Sequence, residues 1–236
     1  MAKLKPADFI AAVAPVAVQL RLEGSPIFAS LRIAQAAHET GWNIHSWNNL
    51  VGLKVGSGKP NQYWDGSSVR TGTWEVINGY RVDTTANWRA YRSIEDCFRD
   101  QDLLFQSSRY ARVRAAKMPD EQADMLQACG YATDPQYAAK LKNIIFMYDL
   151  KRYDIQAEVE KRMIEELKSR VEQLAAENKQ LKQRIERLEK RASMPVPEWA
   201  KEAIEAAVKA KLINAPDSGG YDFYRILTVM HRKGLI

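Results

Sequence analysis

Cysteine and histidine are scarce, two and three respectively in 236 residues. That excludes a disulfide-stapled scaffold and leaves nothing at metal-ligand spacing. Cys97 and Cys129 both fall in segments that read as helix, which favours free thiols over a bridge. Neither a metal nor a cofactor is implied. Also absent is any apolar run near the roughly 20 residues of a membrane-spanning helix. Pro15 interrupts the apolar stretch from Phe9 to Leu20, and Arg21 follows where a cleavable leader would carry small residues, so no signal peptide is expected. The 35 Lys and Arg outnumber 29 Asp and Glu, a net charge of +6, but the excess is scattered. Without a basic block or a base-reading motif, nucleic acid is not an expected partner; an anionic polymer is the most this charge suits. No Ser-His-Asp set, Cys nucleophile or phosphate loop stands out.

What the chain does carry is Ser30-Leu-Arg-Ile-Ala-Gln-Ala-Ala-His-Glu-Thr-Gly-Trp42, followed by Asn48-Asn-Leu-Val-Gly-Leu-Lys54. Ala34, Ala36 and Ala37 favour helix and Gly41 stops it. Glu39 therefore falls in a last helical turn, where the helix dipole disfavours an ionised carboxylate, and Trp42 would add desolvation. A carboxyl group kept protonated near neutral pH is what a general acid requires. The plain alternative is a solvated helix-end Glu.

Around this stretch, residues 7–22 show helical spacing (Phe9, Ile10, Val13, Val16, Ala17, Leu20), and Pro26 is placed to open the next helix. Val69–Ile77 and Tyr80–Thr85, joined by Asn78-Gly79, read as a β-hairpin. Helices resume at Ser93, which with Asp96 forms a capping pattern for Ile94–Ser107. Another helix spans Pro119–Cys129. Asp134-Pro135 is expected to cap and open a last one, which closes the domain near Arg152. The layout is α+β, with a cleft between a helical lobe and a small β lobe.

From residue 155 the pattern changes to heptads. Ile164, Val171, Asn178, Ile185 and Ala192 are spaced by seven, with Leu167, Leu174, Leu181 and Leu188 as companions. β-branched residues at most first positions, Leu at the fourth and one central Asn predict a parallel two-stranded coiled coil, hence a homodimer through residues 155–192. A single surface helix is the alternative. Ser193–Pro197 breaks the coil, and two short helices follow, 197–213 and Tyr221–Lys233. The expected domains are 1–152, 153–192 and 193–236.

A glycosidase acid needs a partner across the cleft. Glu75, on the first hairpin strand, is the candidate by position; a surface charge is the alternative. Tyr63, Trp64, Trp74, Tyr80, Trp88 and Tyr91 crowd the region, and rings of this kind suit the flat faces of sugars.

Ala34-Gln-Ala36 with His38-Glu-Thr-Gly-Trp42, Asn49-Leu-Val-Gly-Leu-Lys54 and Tyr131-Ala-Thr-Asp-Pro135 together resemble the N-acetylglucosaminidases of glycoside hydrolase family 73, over residues 6–150. The resemblance implies a lysozyme-like, mainly helical fold. It also implies peptidoglycan glycan strands as substrate, cut at the β-1,4 bond between N-acetylglucosamine and N-acetylmuramic acid. By position, Glu39 matches the general acid, Glu75 the second acidic residue, and Tyr131 a tyrosine near the acid. The motif residues Trp42, Asn49, Trp88 and Tyr91 are expected to bind substrate. His38 departs from the family's usual Leu or Ile and reads as packing. Muramidase or lytic transglycosylase chemistry on the same fold is the runner-up, and a non-catalytic virion or cell-wall protein a third reading. The C-terminal segment weakly resembles a surface-layer-homology or phage wall-anchoring module, which suggests a secondary cell-wall polymer as its partner. With no leader, the expectation is an endolysin made in the cytoplasm and released to the wall by a holin-type route.

Overall fold

The computed structural model describes residues 4–77, 80–217 and 219–236, except for the side chains of 73–77 and 80–82. The chain divides into two compact units, Met1–Ile164 and Glu165–Ile236.

The first unit is built around α2 (Ala29–Thr40), a helix buried on nearly every side from Ala29 to Ala37. Its alanines make that burial feasible, since small side chains let neighbouring helices approach closely. Around it pack α1 (Pro6–Leu22), α5 (Pro119–Ala128) and α6 (Tyr137–Met147), which contribute Phe9, Val13 and Ala17, then Leu126, then Leu141 and Ile145. α3 (Ile94–Phe105) adds Phe98 and Phe105 to the same core, and the short α4 (Ala111–Ala115) adds Val113. The Ser93 hydroxyl accepts from the Asp96 amide at 3.0 Å, which is the cap the sequence predicts. Pro26 does not open α2. The helix begins at Ala29 with Phe28 extended before it, because the Ser25 hydroxyl accepts the Ile27 amide and holds a turn there. Likewise α6 starts at Tyr137 and not at Pro135. The Asp134 carboxylate accepts the Gln136 amide at 2.9 Å, so it caps a turn that delays the helix.

The β lobe is a two-stranded antiparallel hairpin, β1 (Ser68–Ile77) and β2 (Tyr80–Arg89), with Ser68 opposite Arg89 and Ile77 opposite Tyr80. β2 runs four residues past the expected Thr85, because Leu53–Val55 pairs with its end. Arg89 N donates to Leu53 O and Val55 N to Asn87 O, both at 2.9 Å. The expected Asn78-Gly79 turn lies outside the described residues. At the far end, the buried Asp100 of α3 accepts from Asn61, Arg89 and Tyr91 at 2.6–2.7 Å and ties the strand end to the helical lobe.

α7 (Lys151–Ala192) is one continuous helix of 42 residues. Its first turns belong to the first unit, where Ala157 is buried and Asp154 accepts the Ser30 amide at the start of α2. The first unit therefore extends beyond the boundary expected at 152. From Lys161 to Ala192 every residue of α7 is exposed, the heptad residues included. In the second unit α8 (Lys201–Lys209) and α9 (Tyr221–Arg232) close a small core of Ala203, Ile204 and Ala207 against Tyr224 and Leu227. Among the described residues no helix is long and apolar enough to cross a membrane.

Candidate active site

Gly41 adopts a left-handed φ of +56° and ends α2, which leaves Glu39 in the final turn facing out of the core. Opposite it runs the loop from Asn49 to Leu53. The Asn49 amide braces that loop, donating to Leu53 O (2.8 Å) and Arg89 O (2.9 Å) while its oxygen accepts the Leu53 amide (3.1 Å). At the loop's tip Gly52 has φ +66°, and a Cβ there would stand 3.3 Å from Glu39 Oε2. The backbone angle favours glycine here, and a Cβ would crowd the Glu39 carboxyl.

The space between is a cavity of about 190 Å³ lined by Glu39, Thr40, Asn49 and Gly52 on one side and by Thr71 and Trp88 of the β lobe on the other. The Trp88 indole donates to the Thr71 hydroxyl at 2.8 Å, which fixes its ring across the strands. His45 and Trp47 complete the lining, stacked with ring centres 4.3 Å apart. Nothing in the sequence singled these two out. They sit in the irregular stretch 43–48 between the two motifs, where no periodicity marks a face.

Glu39 opens to the cavity, yet protein surrounds it on its other sides, and this partial loss of water raises its pKa above the usual carboxylate value. The Tyr137 hydroxyl donates to Oε1 at 2.8 Å and works in the opposite direction, favouring the charged form. Desolvation is the larger influence. Trp42, expected to add to it, packs edge-on against Phe9 and Tyr148. Tyr137 and Tyr131 stack below the carboxyl with centres 6.1 Å apart. Burial, with Glu39 nearby, pushes both phenols upward, so both keep their protons. His38 lies edge-on to Tyr137, and burial lowers its pKa, which keeps it neutral; this matches a packing role.

The residues expected to act are thus only partly brought together. Glu39, Asn49 and Trp88 line one cavity. Tyr131 lies beneath it, but its hydroxyl donates to Val51 O at 2.9 Å, and the tyrosine bonded to the acid is Tyr137. Tyr91, expected to touch substrate, is 6 % exposed and donates its hydroxyl to Asp100, so it is a strut of the β lobe. Trp42 is likewise a core-packing residue. The backbone of Glu75 stands on β1 opposite Val82, four residues beyond Thr71; its side chain lies outside the described residues. Cys97 and Cys129 are free, and burial lifts the Cys97 thiol to about 12, so it is inert. Among the described residues no group of three His, Cys, Asp or Glu is placed to hold a metal ion.

The helical and β lobes that form this site lie in a stretch with known relatives. Residues 16–150 match the glucosaminidase family model, described as mannosyl-glycoprotein endo-beta-N-acetylglucosaminidase. The chain is 39 % identical over 147 residues to peptidoglycan hydrolase FlgJ of Pseudomonas aeruginosa, covering 58 % of this chain and 35 % of that protein. It is 35 % identical over 146 residues to the exo-glucosaminidase LytG of Bacillus subtilis, covering 58 % and 49 %. The chain thus spans less than half the length of these curated relatives. A crystal structure of a peptidoglycan hydrolase mutant from Sphingomonas sp. A1 superimposes with TM-score 0.54 at 34 % identity, covering 64 % of this chain and 99 % of that one.

Proposed function

The chain belongs to the glucosaminidase family, glycoside hydrolase family 73, and from that premise we propose that it hydrolyses peptidoglycan at the β-1,4 bond between N-acetylglucosamine and N-acetylmuramic acid. The observation that carries this reading is the setting of Glu39. One oxygen is held by Tyr137, the other faces a sugar-sized cleft walled by Trp47 and Trp88, and burial favours the protonated form. In this role Glu39 protonates the glycosidic oxygen as the bond breaks. The stacked His45–Trp47 pair and Trp88 supply flat faces for sugar rings.

Glu75 is proposed as the second acid. Its place on β1, an even number of residues beyond Thr71, supports this. It would activate a water or orient the substrate's own acetamido group. Tyr131 is proposed to support the reacting centre through the loop carbonyl it holds, with Trp42 and Asn49 setting the shape of the cleft around it.

A second reading needs only Glu39, which lines the cavity, since lytic transglycosylase chemistry can run on one acid. Mass spectrometry of muropeptides released from purified walls separates the two. N-acetylglucosamine at the reducing ends supports the glucosaminidase reading, whereas anhydro- or reducing N-acetylmuramic acid ends refute it.

The heptad face of α7 supports a parallel homodimer through 155–192. Ile164, Val171, Ile185 and all four companion leucines are at least 41 % exposed in the single chain, an apolar stripe that pairing would cover. The α8–α9 unit is proposed to hold a secondary cell-wall polymer, and the whole protein to act as a phage-type endolysin that reaches the wall by a holin-type route. Two sites and two such modules on one dimer would raise the effective concentration at an insoluble polymer.

A further inference from the structure

Beneath Glu39 lies a set of buried polar side chains that the acid chemistry does not itself use, and they form one unbroken line. Arg32, fully buried, donates Nη1 to Gln101 Oε1 at 3.0 Å. Gln101 Nε2 donates to Gln35 Oε1 at 2.8 Å, and Gln35 Nε2 to the Tyr137 hydroxyl at 3.0 Å. The Tyr137 hydroxyl then donates to Glu39 Oε1 at 2.8 Å. Arg32, Gln35 and Glu39 share α2, Gln101 comes from α3 and Tyr137 from α6. Both glutamines are 0 % exposed, so no water competes for their amides.

The direction of this line is forced. A guanidinium only donates, so Gln101 must turn its oxygen to Arg32 and its NH2 to Gln35. Gln35 must then turn its oxygen to Gln101 and its NH2 to Tyr137. A phenol has one hydrogen; with its lone pair taken by Gln35, that hydrogen goes to Glu39 Oε1. A side branch agrees, because Gln101 Nε2 also reaches the Tyr131 hydroxyl at 3.4 Å while Tyr131 donates to Val51 O. Asp102 and Ser25 hold the other arm of Arg32, so the anchor cannot rotate away.

We propose that Arg32, Gln101 and Gln35 are positioning residues that act through Tyr137 to keep Oε1 of Glu39 an acceptor, so that the acid's proton sits on Oε2, the oxygen facing Gly52 and the cleft. The proposal rests on Glu39 being the acid. Without the line, the carboxyl proton is free to sit on Oε1 against Tyr137, where it cannot reach a glycosidic oxygen. Tyr137 remains protonated and neutral, as its role requires. The other titratable groups around Glu39 are Tyr131 ahead of α6, His38 beside it on α2 and His45 across the cavity. Lys140 and Asp134 lie further out, beside His38, and Lys54 stands by Trp88.

Gln101→Glu in the full chain reverses the line without changing its shape. The introduced carboxylate, ionised beside Arg32, accepts from Arg32 and from Gln35. Gln35 then flips and offers its oxygen to Tyr137, whose hydrogen leaves Glu39. The basic limb of the kcat/KM profile against pH on peptidoglycan should move to higher pH, because ionised Glu39 loses its donor. kcat should fall roughly ten- to a hundredfold with KM unchanged. Tyr137→Phe should move the limb the same way, and the double variant should move it no further. A limb that stays in place in either single variant overturns the proposal. Neutron diffraction on the unmodified, perdeuterated protein reads the same line with no variant to fold. Deuterons on Gln35 Nε2 facing Tyr137 and on the Tyr137 oxygen facing Glu39 support it, and a Tyr137 deuteron facing Gln35 overturns it. If Glu39→Gln keeps full lytic activity, the acid assignment fails instead, a result distinct from either of these.

Discussion

Glu39 sits where its charged form is costly. The folded pKa lies above the ordinary 4.5, so the native state binds this proton more tightly than the unfolded chain does. Stability on this account is highest below about 4.5 and falls as pH rises through the window up to the raised value. Glu39→Gln removes that penalty. Its melting temperature should exceed the parent's near neutral pH by no more than about 3 °C, since the carboxyl reaches cleft water, and should match it at acidic pH. Calorimetry at the two pH values checks this. Gly52→Ala acts on the same carboxyl from the other side. Positive φ and a Cβ 3.3 Å from Oε2 should cost about 1 kcal/mol of stability and lower kcat by roughly tenfold, read by denaturant unfolding and turnover on walls. The place of Glu39 in a last helical turn was legible in the sequence because Gly41, two residues on, stops the helix. Its tyrosine was not. Tyr131 and Tyr137 flank Asp134-Pro135, and which one reaches Glu39 depends on where α6 begins, a matter decided by the Asp134 turn. Gln35 and Gln101 meet only because α2 and α3 pack together, and no local pattern announces that.

At the scale of elements, the hairpin and the helices around α2 were legible from turn residues and periodicity, as was the Ser93 cap. The extra length of β2 was not, because its end is paired by the Leu53–Val55 loop and not by its hairpin partner alone. The join between lobes depends on Asp100, whose carboxylate is 2 % exposed and takes three donors. Asp100→Ala leaves the donors of Asn61, Arg89 and Tyr91 unmet and should destabilise the first unit by about 3 kcal/mol, seen as a lower urea midpoint. In α7 the heptads were plain in sequence, and Asn178 is the one polar residue at a central first position; its side chain donates to Leu174 O within its own helix. Asn178→Ile should strengthen association and admit species larger than a dimer, visible by sedimentation equilibrium, whereas the parent should sediment as a dimer.

For the whole molecule, the family match covers residues 16–150, and α7, α8 and α9 follow it in the chain. Removing residues 165–236 takes away the heptads and the α8–α9 unit while sparing every residue of the cavity. Turnover of soluble glycan fragments should stay within about twofold, and, on the proposed dimer and wall-binding module, clearing of insoluble walls should drop roughly tenfold or more. What that cavity does is read from the reducing end it leaves. Purified walls digested with the full chain should release muropeptides ending in N-acetylglucosamine, and Glu39→Gln, folded as the parent, should release none. Reducing or anhydro-muramic acid ends, or undiminished release by Glu39→Gln, would contradict the account.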